Sequence, residues 1–218
     1  MALDLHKELL NLRREILNMG AIVEQRVRGV VEALLNGDVE LARQIKGGDK
    51  EIDELEVRIE SECLRILALG SPVAGDLRFV LAVMRIDGQL ERVGDLARSI
   101  AKRVISINIL PAVELPQALL DIGQAARNML SDALAAMGSE DAALCRQVRA
   151  ADERVDDLRR EVFHWARTEM PRNPEATQSV IDILSAAQKF ERIGDLANNI
   201  AGDVIFLIEG EIVRHSKV

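Results

Sequence analysis

Apolar residues recur four and three apart through the start of the chain, at Leu5, Leu9, Leu12, Ile16, Met19, Val23, Val27, Val30 and Leu34. That period keeps them on one face of a helix, so residues 5–34 read as one long amphipathic helix of the bundle or coiled-coil type. Asn36, Gly37 and Asp38 read as a C-terminal stop followed by a new N-cap. A second stripe, Leu41, Ile45, Ile52, Leu55, Ile59, Cys63 and Ile66, carries a second helix to about Gly70, with Gly47 and Gly48 placed to kink or split it. Ser71-Pro72 predicts a cap followed by proline at the first helical position. The third stripe runs from Val80 through Leu90, Val93, Ala97 and Ile100 to Val104, and its helix should end near residues 107–110. Pro111 and Pro116 make residues 110–116 the best linker candidate in the chain.

Beyond the linker the plan repeats. Helices are expected over about 119–137 and 141–169, with a break at Gly138-Ser139, then a turn through Pro171 to Pro174 and a last helix to about Glu209. Asn173-Pro174 repeats the Ser71-Pro72 signal. The block ERVGDLARSIAKRV, starting at Glu91, aligns without gaps on ERIGDLANNIAGDV, starting at Glu191, with nine of fourteen positions identical. A period of about 100 residues points to two copies of a domain rather than to a solenoid of shorter units. The expected units are residues 1–110 and 117–218.

Composition agrees with an all-α chain. There is no Tyr, one Trp and four Phe in 218 residues, while Leu, Ala, Ile, Val, Glu and Arg dominate, the palette of long packed helices rather than of a β-sandwich. A net charge of −8 without a basic run argues against nucleic acid as the main partner. The N-terminal MALDLHKELL has no basic-then-apolar leader pattern and no stretch of about 18 apolar residues spans a bilayer, so a cytoplasmic protein is expected. Cys63 and Cys145 lack a CxxC or His companion and read as buried thiols.

The candidate chemistry lies in paired acids. Glu91 and Asp95, and again Glu191 and Asp195, are four apart and stack on one helix face. The preceding helices carry Asp49 with Asp53 and Asp152 with Asp156 at the same spacing. Like charges so placed repel by a few tenths of a kcal/mol unless something neutralises them. If the helices are neighbours, the pairs face each other and offer only oxygen donors. Such donors suit Mg²⁺, Mn²⁺ or Fe³⁺ better than a structural zinc. Asp87, one turn before Glu91, extends the first set, but its aligned position in the second is Ala187. Solvated surface is the competing reading of any one pair, and Asp49 also reads as a cap after Gly48. Gly94 and Gly194 lie inside the pairs and point to a close approach by a bound ion or backbone, or to tight helix packing. Arg92 and Arg192 read as surface salt-bridge partners, and Asp76 as a charge favouring the start of its helix.

Taken together, the ER[VI]GDLAxxIA block late in each half, the D-x-x-x-D on the helix before it and PVAGDLR in the first half resemble the PhoU family over nearly the whole chain. The resemblance implies two tandem three-helix bundles related by pseudo-two-fold symmetry. It also implies metal at Asp49, Asp53, Glu91 and Asp95 in one half and at Asp152, Asp156, Glu191 and Asp195 in the other, with iron, manganese, magnesium or zinc as candidates. The implied role is negative regulation of the phosphate-starvation response and of phosphate uptake. In that role the protein is a cytoplasmic adaptor between the ATPase subunit of the phosphate ABC transporter and a sensor histidine kinase, and its long amphipathic helices point to a homodimer. It reaches the membrane only through those partners and is not an enzyme. The second half departs from the pattern in having NPEATQSV where the first has PVAGDLR.

Two other readings compete. A ferritin-like di-metal carboxylate enzyme needs two Glu-x-x-His motifs on facing helices. Only Glu161 to His164 matches, His6 and His215 lie near the termini, and His164 is expected to pack between Phe163 and Trp165. No nucleophile triad or phosphate-cradling loop is present in the sequence either. A structural scaffold with solvated acidic faces is the remaining alternative.

Overall fold

A computed structural model describes residues 4–48 and 50–211. It contains seven α-helices in this range: α1 (Leu5–Asn36), α2 (Val39–Gly47), α3 (Lys50–Gly70), α4 (Ala74–Ile109), α5 (Gln117–Ser139), α6 (Ala142–Arg172) and α7 (Thr177–Glu209). A single 3-10 turn, Pro174–Ala176, precedes α7, and no strand occurs among the described residues. No helix among them is long and apolar enough to cross a membrane.

The helices begin and end where backbone chemistry requires. Gly37 takes a left-handed φ of 63°, and the Asp38 N–H donates to the Ala33 carbonyl at 2.9 Å, which closes α1. Asp38 then caps α2 by accepting from the Leu41 N–H at 2.9 Å. The second predicted helix is divided at Gly48, whose carbonyl accepts from Arg26 of α1. Ser71-Pro72 does not start α4 as expected. Ser71 and Ala74 both have positive φ, Val73 holds the cap position without a side-chain bond, and the helix begins at Ala74. Gly138 likewise stays helical: α5 runs to Ser139 and is capped by Glu140, in the left-handed region at φ 55°, whose carboxylate pairs with Arg13 of α1 at 2.6 Å. Asp141 caps α6, which runs past Pro171 to Arg172.

Each half is a three-helix bundle: α1, the broken α2–α3 and α4 in the first, α5, α6 and α7 in the second. The α1 stripe from Leu12 to Leu34 is buried, as are Val80, Leu90 and Ala97 of α4 and Phe190, Ile193 and Ala197 of α7. The two halves share one continuous apolar core, and α4 packs against α7 antiparallel along most of its length. Charge crosses that seam at both ends. Arg103 donates to Asp182 at 2.8 Å, while Asp203 accepts from Gln89 at 2.7 Å and from Arg85 at 3.4 Å. The Arg85 guanidinium also lies over the Phe206 ring, 5.1 Å from its centroid.

Candidate functional site

The spacing that stacks Glu91 on Asp95 also turns them toward α3, because Gly94 between them is the point where α4 meets that helix. A Cβ on Gly94 would lie 2.8 Å from Ile52 Cδ1, and one on Gly194 would lie 3.2 Å from Val155 Cγ1. Side-chain packing therefore accounts for both glycines: the neighbouring helix approaches α4 and α7 closely at these two points.

In the second half all four paired acids are described, and their charges act on one another. Asp152 and Glu191 are half-buried, whereas Asp156 and Asp195 are exposed. Desolvation against the packed helices first, then the charges of Glu191, Asp152 and Asp156, push the Asp195 carboxyl up to about 6. Burial also raises Asp152, against the hydrogen bond it accepts from Asn198 at 2.9 Å. Glu191 is raised by burial but opposed by Arg159, which stands 3.6 Å away. Arg192 lowers Asp195 and Glu191 as a nearby positive charge.

In the first half Asp49 lies outside the described residues. Asp53 opens α3 and is exposed, Glu91 is half-buried, and exposed Asp95 accepts from Arg98 at 2.9 Å. Glu91 is raised by burial, then by Asp95, Glu56 and Asp53, with Arg92 opposing. Asp87 is 3% exposed, its Oδ1 has no hydrogen-bond partner, and burial followed by the charges of Glu56, Glu60 and Glu91 pushes it up to about 8. Glu56 and Glu60 are not marked by the internal repeat. Their four-residue spacing is visible in the sequence, but the repeat hides them, because the Asp49/Asp53 to Asp152/Asp156 alignment puts Arg159 and Phe163 at those places.

Carboxylates gathered with too few cations among them match a hard cation in donor type and charge. Among the described residues no three Asp, Glu, His or Cys groups converge on a point that could hold a metal ion. Coordination would therefore require the exposed side chains of Asp53, Asp95, Asp156 and Asp195 to turn inward. The Glu161-x-x-His164 pattern does not point into a bundle. Glu161 pairs with Arg154 at 3.4 Å and His164 is exposed rather than packed, as is His6, while His215 lies outside the described residues. Cys63 and Cys145 are buried thiols, pushed up to about 12 and about 11 chiefly by burial. A polar cleft of about 240 Å³ lies between α1 and α3, crossed by the Glu8–Arg65 and Glu15–Arg58 pairs at 2.6 and 3.3 Å, away from the paired acids.

Comparison with known proteins gives one answer throughout. The family model described as PhoU domain matches residues 16–104 and 119–204. The chain is 37% identical over 211 residues to a phosphate-specific transport system accessory protein PhoU homolog of Pseudomonas aeruginosa, covering 95% of this chain and 86% of that one. It is 33% identical over 216 residues to the homolog of Aquifex aeolicus, covering 99% and 98%. The crystal structure of PhoU from Pseudomonas aeruginosa is similar with a TM-score of 0.89 at 36% identity, over 94% of this chain and 99% of that one. That of the phosphate transport system regulatory protein PhoU from Streptococcus pneumoniae gives 0.85 at 28% identity, over 96% and 99%.

Proposed function

The chain belongs to the PhoU family, and from that premise we propose that it is an accessory regulator of phosphate transport that represses the phosphate-starvation response when phosphate is abundant. The reading is carried by full-length likeness to relatives named as phosphate-specific transport accessory proteins. Its partners in this reading are the ATPase subunit of the phosphate ABC transporter and a sensor histidine kinase, met in the cytoplasm by a homodimer that touches the membrane only through them. The work is an adaptor's: a surface that binds one conformation of a partner more tightly shifts that partner's equilibrium without making a bond.

The acidic faces add a cation to this reading. Asp49, Asp53, Glu91 and Asp95 would hold an ion in the first half, and Asp152, Asp156, Glu191 and Asp195 in the second. Oxygen donors admit iron, manganese or magnesium, and zinc less readily. A bound ion supplies the positive charge that the opposed carboxylates lack. The residues' own part is to hold α3 to α4 and α6 to α7 around it, so the state of the acids can be felt by the bundle surface.

Deletion of the gene, with a phosphate-responsive reporter read in high phosphate, tests the regulatory role. Derepression on deletion, restored by the wild-type chain, is expected; unchanged repression refutes it. Complementation with Asp53→Asn/Asp95→Asn/Asp156→Asn/Asp195→Asn, which alters the acids of both halves, tests the cation separately. Full repression by a chain that has lost its metal would remove the cation from the mechanism and leave the adaptor role standing.

A further inference from the structure

The seam between α4 and α7 has an outer side that the acidic faces do not use. Arg85, Gln89, Arg92, Leu96, Ser99 and Arg103 stand alternately four and three apart on α4, and the aligned residues of α7, from Ser185 to Asp203, keep the same spacing. That period holds each set on one helix stripe. Contacts at both ends show that the stripes face each other: Arg103 reaches Asp182, and Arg85 and Gln89 reach Asp203. The inner side of the seam is closed by α1 and α5, which pack on α4 and α7 and on one another. Among the described residues no single other helix packs on both α4 and α7, so the outer side is an open groove. Arg92 and Arg192 are accordingly exposed, and Leu96, Lys189 and Leu196 half-buried.

This groove is basic in a chain whose net charge is −8. It holds Arg85, Arg92, Arg103, Lys189 and Arg192 against Asp182 and Asp203. The two acids stand at its ends and are engaged there, Asp182 by Arg103 and Asp203 by Arg85. In the middle Lys189 donates within its own helix, to Ser185 Oγ at 2.7 Å and to the Ser185 carbonyl at 3.3 Å, while Arg92 and Arg192 form no ion pair with any described residue. Lys189 is lowered by burial, then by Arg103, with Asp182 opposing and Arg192 lowering it again. Positive charge therefore gathers at the centre of the groove beyond what its own acids neutralise.

We propose that the outer groove between α4 and α7 docks an acidic amphipathic helix of a partner protein, its carboxylates set on Arg92, Lys189 and Arg192 and its apolar stripe on Leu96 and Leu196. The inference deepens the adaptor reading by giving it a surface, and rests on that reading only for the partner's being a protein. From Arg85 to Arg103 α4 runs about 27 Å, so a helix of about 18 residues spans the groove. Leucines between the cations suit a helix with an apolar stripe better than a phosphate backbone or a layer of lipid headgroups, since neither presents apolar groups at that spacing. Cations without counter-charges in the free chain select an acidic partner and speed its approach, and that attraction weakens with salt.

The test is fluorescence anisotropy of the full-length chain with a labelled three-heptad helical peptide whose one face alternates Leu with Glu, beside a control peptide with Lys for Glu. Wild type is expected to bind the Glu peptide in preference to the Lys peptide. Arg92→Glu/Arg192→Glu should weaken that binding about tenfold, and Arg92→Lys/Arg192→Lys should keep it. Arg43→Glu/Arg154→Glu changes the net charge equally at side chains 62% and 59% exposed on α2 and α6, and should leave binding unchanged. Circular dichroism checks that each variant is folded; should the reversed variant misfold, Arg92→Gln/Arg192→Gln decides, with a loss again expected. No preference for the Glu peptide, or equal losses in the two charge-reversed variants, overturns the docking face. Binding of phosphatidylglycerol vesicles in place of the peptide, lost with Arg92 and Arg192, assigns the groove to a membrane and overturns the helix. Each of these results leaves the regulatory role to the reporter experiment, and unchanged repression there leaves the groove a binding face.

Discussion

Replacing Arg103 by Met tests whether the seam between the halves is held by charge or merely by its apolar surface. Arg103 donates to Asp182 at 2.8 Å, and the side chains of the pair are 39% and 1% exposed. Removing one member of a buried ion pair typically costs about 3–5 kcal/mol, because the other is left charged without a partner. Two features reduce that in this pair. Arg103 is more than a third exposed, so water already screens the interaction. Lys189, further along α7, feels the charge of Asp182 and can take up part of its field. Against this, Asp182 Oδ2 already has no hydrogen-bond partner, so little else supports the carboxylate. The expected cost is about 2 kcal/mol. Urea unfolding followed by Trp165 fluorescence and by circular dichroism would measure it. Asp182→Asn in the same chain should return most of the loss, giving a coupling energy of about 1–2 kcal/mol. A cost below about 0.5 kcal/mol, or a double variant that loses the sum of the two singles, refutes the argument that charge holds this end of the seam.

The geometry also sets three further outcomes. The metal-free chain should lose stability as pH rises from about 4 to about 8. Asp195 and Asp87 are raised from 3.8 to about 6 and about 8 in the fold, so the folded chain favours their protonated forms; that preference stabilises it fully below the unfolded value and is lost as each carboxyl ionises. Melting followed by circular dichroism in chelator would show it, and a melting temperature that rises across this interval would contradict it. Gly94→Ala should cost about 1–2 kcal/mol through crowding of Ile52 Cδ1, despite the better helix propensity of Ala. Adding Ile52→Val, which removes that methyl, should recover part of it in urea unfolding; no recovery would place the strain elsewhere. Cys63 and Cys145, 0% exposed and pushed up to about 12 and about 11, should resist a thiol reagent at about pH 8 until the chain unfolds. Rapid labelling of the folded chain would show that the bundle opens locally.

Long periodic stripes made the helices legible, since the residues that line the core from Leu12 to Leu34 or from Val80 to Val104 are close in sequence and repeat with the helix itself. Boundaries set by tertiary contacts were less so. Glu140 ends α5 in a left-handed conformation although Gly138 stands two residues before it, and its carboxylate meets Arg13 of the other half. No local rule favours a glutamate there over a glycine. The pairs of Asp182 and Asp203 join residues 79 to 118 apart, so local spacing gave no sign of them. The acidic faces were half legible. Recurrence found the pairs, but it also hid Glu56 and Glu60, because a feature present in one half only leaves no trace in a repeat.

That selectivity bears on how the halves divide their labour. Positions that set helix approach are kept in both: Gly94 and Gly194 each receive a side chain from the neighbouring helix, Ile52 or Val155. Positions that meet across the seam have instead become complementary. Arg103 aligns with Asp203, and each finds its opposite charge on the other half, at Asp182 and at Arg85. Two copies of the first half paired through these helices would set Arg85 against Arg103, and two copies of the second would set Asp182 against Asp203. Like charges would then meet in the buried seam, so the sequence favours pairing of one half with the other over pairing of either with its own kind. The same freedom allowed one acidic face to lengthen through Asp87 while the other gained Arg159. A bundle pair fixed by unlike charges at its seam can hold two unequal acidic faces at a constant separation.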